Sequence, residues 1–416
     1  MKIASLLFFS LIPYTASCSY HSTNVGSHGN TADNEMNSQH EMCKQLMISN
    51  QHFAIYLYKH VASQSTETFK NIIISPFAIG TSFAMLSLGT RSSTKDQIQR
   101  VLGFEDTMLS EYDVHHCFTR LLQIIKSNEE EVYVGMETAV FLQSGISFLP
   151  NFLNDIRHYY NTHAVYVDFS NTYHAKNQIN NFIRQESLGK MVDVVQEINQ
   201  HTMLLLINYI SFKAKWMEPF VSTANEDRHF FVSEHTAVKV PLMQRAGEIS
   251  TFYDDILAAV VVKLPYYKGF SVLLILPNKW DIKTVEDALS QSTLANWKQQ
   301  LTLRYVALQL PKFSLSASYE MKDVLERMGM TDLFSNEADF SGIGSDPNLQ
   351  ISKILHAAAL EVNEQGTEAQ ASTTVEIEDL ALPQSIVFNR PFLLVIYKHD
   401  TETILFMGKV MNPAEY

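Results

Sequence analysis

The chain has 416 residues, of which 46% are hydrophobic and 18% are charged, and its formal net charge at pH 7 is −13. A chain of this length can form a large core, either in two or three domains or in one large domain. No Pro/Gly/Ser-rich linker divides the chain after residue 50, so one large domain remains an option. The acidic balance argues against non-specific binding to nucleic acid.

Residues 1–18 have the pattern of a secretory signal peptide. Lys2 provides a positive start, residues 3–12 are mostly apolar, and Ala16-Ser17-Cys18 offers small residues for cleavage. The apolar run is too short to span a bilayer, and no later run is long enough. We therefore expect a secreted, extracellular protein with no membrane contact.

The stretch that follows the signal-like segment is poor in apolar side chains. It predicts a disordered tail at 19–45, so that the folded part of the chain would be 46–416. After cleavage the mature chain would keep Cys43 and Cys117, which are too few for a disulfide framework. One bridge between them and two free thiols are equally consistent with the sequence.

Hydrophobic periodicity divides the domain into helices and strands. It predicts helices at 50–62, 77–88, 94–103, 112–126, 151–160, 174–187, 282–300 and 319–328. It predicts strands at 71–76, 132–142, 164–169, 201–212, 256–264, 270–276, 305–313, 356–363 and 393–397, and two more between 230 and 243. Helices cluster early and strands cluster late, without strict βα alternation, which predicts an α+β fold with mixed sheets.

Some local motifs refine this assignment. Thr94 and Gln97 have the spacing of a capping box, and Gly103 is placed to end that helix. Adjacent His115 and His116 would lie on different faces of their helix, so we expect no metal site there.

A search for catalytic motifs gives no support for an enzyme. The sequence contains no Gly-x-Ser-x-Gly, Walker loop, His-Glu-x-x-His, Cys-x-x-Cys or Gly-x-Gly-x-x-Gly pattern. We expect a protein that is not an enzyme and that uses no cofactor or metal.

The segment after Gly366 alternates with a period of two, as in a half-buried strand. One face would carry Thr367, Ala369, Ala371, Thr373, Val375 and Ile377, and the other would carry Glu368, Gln370, Ser372, Thr374, Glu376 and Glu378. The first four side chains of the inner face are small, and so they bury little apolar area. The segment is therefore able to form a strand without being held in one.

Two motifs around this segment resemble the serpin family, in particular its extracellular antitrypsin-like branch. They are the hinge at 364–371 (Glu-x-Gly-Thr-Glu-Ala-x-Ala) and the signature at 388–392 (Phe-Asn-Arg-Pro-Phe), and the resemblance extends over about 50–413. It implies a single domain at 46–416, with an α+β fold of three β-sheets and about nine helices and an exposed reactive loop at about 364–387. It also implies a secreted, monomeric inhibitor that traps a serine protease as an acyl-enzyme while the cut loop inserts into the large sheet.

The resemblance also implies where the protease cuts. The family's spacing, counted from the hinge glycine, places the reactive bond at Leu380–Ala381. A leucine there suits chymotrypsin-, cathepsin G- or elastase-like proteases, whereas a register slip to Asp379–Leu380 would suit an aspartate-specific protease. The implied hinge residues are Glu364, Gly366, Thr367, Glu368, Ala369, Ala371 and Thr373.

Two further clusters are implied by the resemblance. The shutter beneath the large sheet would contain Ser75, Asn208 and His356, with Ala78 in place of a further serine. The breach at the top of the sheet would contain Trp216, Lys312 and Glu364.

The sequence also bears on activation by heparin and on an alternative function. The predicted helix at 112–126 has only Arg120 and Lys126 as basic residues, so activation by heparin is not supported. The alternative function is a non-inhibitory, serpin-like carrier of a small hormone, but the small-residue hinge favours inhibition.

Overall fold

The fold is known from a computed structural model that describes residues 29–64, 70–187, 189, 191–278, 280–346, 349–364 and 384–415. The chain divides into two compact units, residues 1–39 and residues 40–416. The second unit contains both sheets, the core and the candidate site.

Nine α-helices and fifteen strands lie within these ranges. The helices are α1 (Gly29–Gln64), α2 (Pro76–Ser87), α3 (Ser92–Val101), α4 (Glu111–Ile125), α5 (Pro150–Tyr160), α6 (Thr172–Glu186), α7 (Ile282–Ala288), α8 (Gln291–Gln300) and α9 (Lys322–Met328). The strands are β1 (Ile72–Ile74), β2 (Ser127–Asn128), β3 (Val132–Gln143), β4 (Ala164–Val167), β5 (Leu204–Ala214), β6 (Val221–Ser233), β7 (Thr236–Asp254), β8 (Ala259–Pro265), β9 (Phe270–Pro277), β10 (Thr302–Pro311), β11 (Phe313–Glu320), β12 (Ile351–Val362), β13 (Gln384–Val387), β14 (Phe392–Lys398) and β15 (Thr403–Val410).

Most predicted elements appear near their expected positions, but strands β2, β11, β13 and β15 were not predicted, and β7 and β12 are longer than expected. Three further differences concern helices. Helix α1 begins at Gly29, within the stretch that composition assigned to a tail. The helix predicted at 282–300 is two helices, because Ser290 caps a new one by accepting a hydrogen bond from the Thr293 amide. The helix predicted from residue 319 starts at Lys322, since Tyr319 ends a strand.

The predicted capping box at Thr94 and Gln97 is wrong. Both residues lie inside α3, where their side chains accept hydrogen bonds from the Asp339 and Asp332 amides. These two bonds attach the helix to the 332–339 segment instead of capping it. Gly103 does follow the helix end with a φ of +74°, a conformation that favours glycine.

The six-stranded sheet has the order β11-β12-β5-β3-β2, with β4 on β3. Strands β12 and β5 are parallel, with His356 opposite Asn208 and Leu360 opposite Phe212. One face of this pair packs on the main hydrophobic core, and the other is covered by α6 and residues 191–198. Both strands therefore read as nearly continuous apolar runs, which is typical of strands buried on two faces.

The nine-stranded sheet has the order β1-β15-β14-β9-β8-β7-β10-β13, with β6 also on β7. The described strands thus join into two sheets, whereas three were expected. The reason is the length of β7: its end at 250–254 pairs with β8, and its earlier part pairs with β6 and β10. One continuous strand therefore connects what would otherwise be separate second and third sheets.

A disulfide joins Cys43 on α1 to Cys117 on α4. Both cysteines are buried, with exposures of 4% and 1%. The structure thus decides between the two readings that the sequence left open. A bridge that closes a long loop typically contributes about 2–4 kcal/mol to stability.

Candidate functional site at the junction of strands β5 and β12

The two predicted clusters lie along one feature, the junction between β5 and β12. The predicted reactive bond Leu380–Ala381 and the hinge residues Gly366 to Thr373 lie outside the described residues. Glu364 is the last described residue before them, and it lies two residues after the end of β12. The structure therefore describes the surroundings of the last residue before the predicted loop.

The residues predicted for the shutter are connected through His356, and all three are fully buried. The Ser75 amide donates a 3.0 Å hydrogen bond to Nε2 of His356, while Nδ1 of His356 pairs with Oδ1 of Asn208. Ser75 also caps α2, since its Oγ accepts a hydrogen bond from the Ala78 amide. The imidazole thus connects β12, β5 and the start of α2 beneath the sheet.

These contacts fix the protonation of His356. Because Nε2 accepts from the Ser75 amide, it carries no proton, and Nδ1–H donates to Asn208. Burial disfavours the charged imidazole and lowers the pKa of His356 to about 3. The ring is therefore neutral at physiological pH.

Sequence reasoning missed three neighbours of the shutter. The ring of Tyr319 stacks on His356 with centroids 6.4 Å apart, and its hydroxyl accepts from the Ile73 amide. The Ser82 hydroxyl lies 3.2 Å from that of Thr138 on β3 and supplies a polar link close to Ala78. Tyr319 was missed because it was assigned to a helix, although 313–320 alternates as a strand would.

The buried imidazole predicts a specific pH dependence of stability. In the unfolded chain the pKa is about 6.5, so only the unfolded state binds this proton between that pH and about 3. The stabilisation is complete above pH 6.5 and is lost as the pH falls toward 3, by on the order of 5 kcal/mol for this group. His356→Gln should flatten this part of the curve in urea unfolding experiments.

The matched control is His116→Gln, because His116 is exposed on α4. If it flattens the acid limb as strongly as His356→Gln does, the effect does not come from the buried ring. An unchanged limb in His356→Gln would refute the role given to that ring.

The residues predicted for the breach meet just beyond the carboxyl end of β12. Nε1 of Trp216 donates a 2.8 Å hydrogen bond to the Asn363 carbonyl, and the Phe220 amide donates to the Glu364 carbonyl. Nζ of Lys312 lies 3.1 Å from Oε2 of Glu364, whose exposure is only 9%. These contacts attach the end of β12 to the segment after β5 and to the β10–β11 connection. Sequence reasoning found three of these residues and missed Asn363 and Phe220.

A family model described as Serpin (serine protease inhibitor) matches residues 48–413. The chain belongs to the serpin family. The family's description is that of protease inhibitors, and the arrangement of sheets and helices described above is the serpin fold.

Similar serpins include an antiproteinase and two hormone-binding globulins. Over 377 residues the chain is 37% identical to alpha-1-antiproteinase of Bos taurus, covering 91% of this chain and 90% of that protein. Over 369 residues it is 38% identical to corticosteroid-binding globulin of Homo sapiens, covering 89% and 91%. The structure of human thyroxine-binding globulin with thyroxine matches with a TM-score of 0.83 at 34% identity, covering 90% of this serpin and 100% of that chain.

In the part of the chain that the structure describes, none of the helices combines the length and apolar character needed to cross a bilayer.

Proposed function

We propose that this serpin inhibits a serine protease by inserting its cut loop between β5 and β12. One observation carries the proposal: these strands are parallel neighbours, and the loop leaves from the carboxyl end of β12. A segment that turns back from Glu364 into the junction would run antiparallel to both strands. One parallel pairing would then be replaced by two antiparallel pairings, which are more stable per residue.

The size of this gain supports a large rearrangement. Adding a strand of about ten residues forms on the order of ten further backbone hydrogen bonds, at about 0.5–1.5 kcal/mol net each. The total, of order ten kcal/mol, is comparable to the stability of a whole domain. The inner face from Thr367 to Thr373 has small side chains, and 366–382 contains no proline that would remove a ladder bond.

The proposed reaction begins as ordinary proteolysis. The protease serine oxygen attacks the carbonyl carbon of Leu380, an ester forms, and the bond to Ala381 breaks as the departing amine takes up a proton. Insertion of the loop up to Leu380 then competes with hydrolysis of the ester. The protease is trapped when insertion is faster.

The side chain at the proposed bond selects the class of protease. Leu380 fits an apolar primary pocket of the chymotrypsin, cathepsin G or elastase type. Trypsin-like proteases are disfavoured because no Lys or Arg occurs between Gly366 and Val387. The acidic residues Glu376, Glu378 and Asp379 would favour a protease with basic subsites next to that pocket.

Incubation of the mature protein with chymotrypsin and with neutrophil elastase tests the proposal. We expect a complex that survives denaturing gels and a released peptide that begins at Ala381. Chymotrypsin with a blocked active-site serine should give neither. A peptide that begins at Leu380 would support the Asp379–Leu380 alternative, and cleavage without a complex would reject inhibition.

We propose that the protein is secreted and acts outside the cell. The signal-like segment at 1–18 and the buried Cys43–Cys117 bridge support secretion, since disulfides persist mainly in oxidising compartments. We propose a monomer that uses no cofactor and no heparin. Lys126, one of the few basic residues near α4, is already paired with Glu137 at 3.0 Å.

A second candidate function is transport of a small ligand. A cleft of about 900 Å³, within the usual range for small-molecule sites, is lined by residues that include Tyr58, Trp280, Ile282 and Met411. The similarity to corticosteroid- and thyroxine-binding globulins also supports this second function. Equilibrium dialysis with cortisol and with thyroxine tests it: a carrier shows saturable binding and traps no protease.

A further inference from the structure

One ion pair spans the junction between β5 and β12 on the surface of the sheet. Nζ of Lys213 lies 3.3 Å from Oε2 of Glu361, and the two side chains are 47% and 45% exposed. The pair continues the parallel register one step beyond Phe212 and Leu360. It therefore connects the carboxyl ends of β5 and β12, which lie next to the predicted breach.

The pair belongs to a small network. Asn363 donates a 2.8 Å hydrogen bond from Nδ2 to Oε1 of Glu361, and its carbonyl accepts from Nε1 of Trp216. Two bridges, Lys213–Glu361 and Trp216–Asn363, thus connect the same two chain segments and are joined to each other through Asn363. Exposed ion pairs held in such networks contribute more than isolated ones.

We propose that Lys213 and Glu361 form a latch that sets how fast β5 and β12 separate to admit a strand. This inference rests on the proposed function, because it concerns the same junction. A strand placed between β5 and β12 moves each residue pair apart by one strand spacing, about 4.8 Å. Such a displacement breaks the Lys213–Glu361 contact before any new ladder bond forms at that level.

The same sheet contains a matched control pair. Nζ of Lys353 on β12 lies 3.1 Å from Oε2 of Glu320 on β11, with side-chain exposures of 27% and 50%. Strands β11 and β12 stay paired when a strand enters on the other side of β12. Removing this pair changes surface charge in the same way, but the contact that is lost joins β12 to β11 and not to β5.

The test measures uptake of a fluorescent synthetic peptide with the sequence of residues 367–380 by the intact serpin. Lys213→Met and Glu361→Gln should each accelerate uptake about two- to fivefold, the range expected for an exposed pair. The double variant should be no faster than the faster single variant, since both changes remove one contact. Lys353→Met and Glu320→Gln should take up peptide at the wild-type rate.

Salt provides a second readout that a purely structural effect would not change. Raising NaCl to about 1 M screens exposed pairs, so the wild-type rate should approach that of the Lys213→Met variant. Equal uptake by wild type and latch variants at low salt would overturn the latch while leaving strand addition intact. Uptake by none of the proteins would overturn strand addition at this junction, and the latch with it.

Discussion

Thr367→Arg is expected to turn this serpin from an inhibitor into a substrate of its protease. In the proposed inserted strand, Thr367 belongs to the face that turns toward the main core. There β5 and β12 contribute side chains such as Phe212 and Leu360, which are buried at 2% and 1% exposure. An unpaired guanidinium in that environment costs several kcal/mol, so insertion should slow by roughly 10²–10⁴-fold.

We expect the variant to be cleaved normally but to release the protease instead of trapping it. The reactive bond is remote from the substitution, so acylation should proceed at the normal rate. Hydrolysis of the ester then outruns insertion, and denaturing gels should show cleaved serpin and free, active protease. The covalent complex seen with wild type should be nearly absent.

Glu368→Arg is the matched control, because it places the same side chain one residue later on the opposite face. It should retain most of the complex. If Thr367→Arg still traps protease as wild type does, the assignment of the inward face is wrong. If both variants lose the complex equally, the effect follows from charge in the hinge and gives no information on burial.

The sequence predicted the elements of this junction better than their arrangement. The apolar runs at 201–212 and 356–363 predict strands, because composition and periodicity are local properties. That β5 and β12 lie side by side and parallel, with His356 opposite Asn208, depends on contacts between residues far apart in the chain. Periodicity holds no information about such pairings, and the family resemblance alone suggested the shutter and the breach.

Local signals also failed where tertiary contacts compete with them. Thr94 and Gln97 have the residue types of a capping box, but both side chains instead accept hydrogen bonds from backbone amides of the 332–339 segment. The Lys213–Glu361 pair could not be anticipated, since its two members become neighbours only through the β5–β12 register. Charges on exposed strand faces carry no pairing signal until that register is known.

Leu380→Arg is expected to redirect inhibition from chymotrypsin-like to trypsin-like proteases. The primary pocket of a chymotrypsin-like enzyme is apolar and cannot solvate a guanidinium, whereas that of trypsin contains a carboxylate that pairs with it. A buried charge without a partner is rejected strongly, so the ratio of the two inhibition rates should change by roughly 10³–10⁴-fold. Because insertion uses the unchanged inner face from Thr367 to Thr373, the variant should still trap the protease that cuts it.

The measurement compares the rates of complex formation with chymotrypsin and with trypsin, and the released peptide should still begin at Ala381. Leu382→Arg is the matched control, since it introduces the same side chain on the far side of the bond and should leave the preference for chymotrypsin in place. If Leu380→Arg keeps that preference and Leu382→Arg changes it, the reactive bond lies further along the loop. A released peptide beginning at Leu380 in the wild type would instead shift the bond by one residue and make Asp379 the side chain that the protease reads.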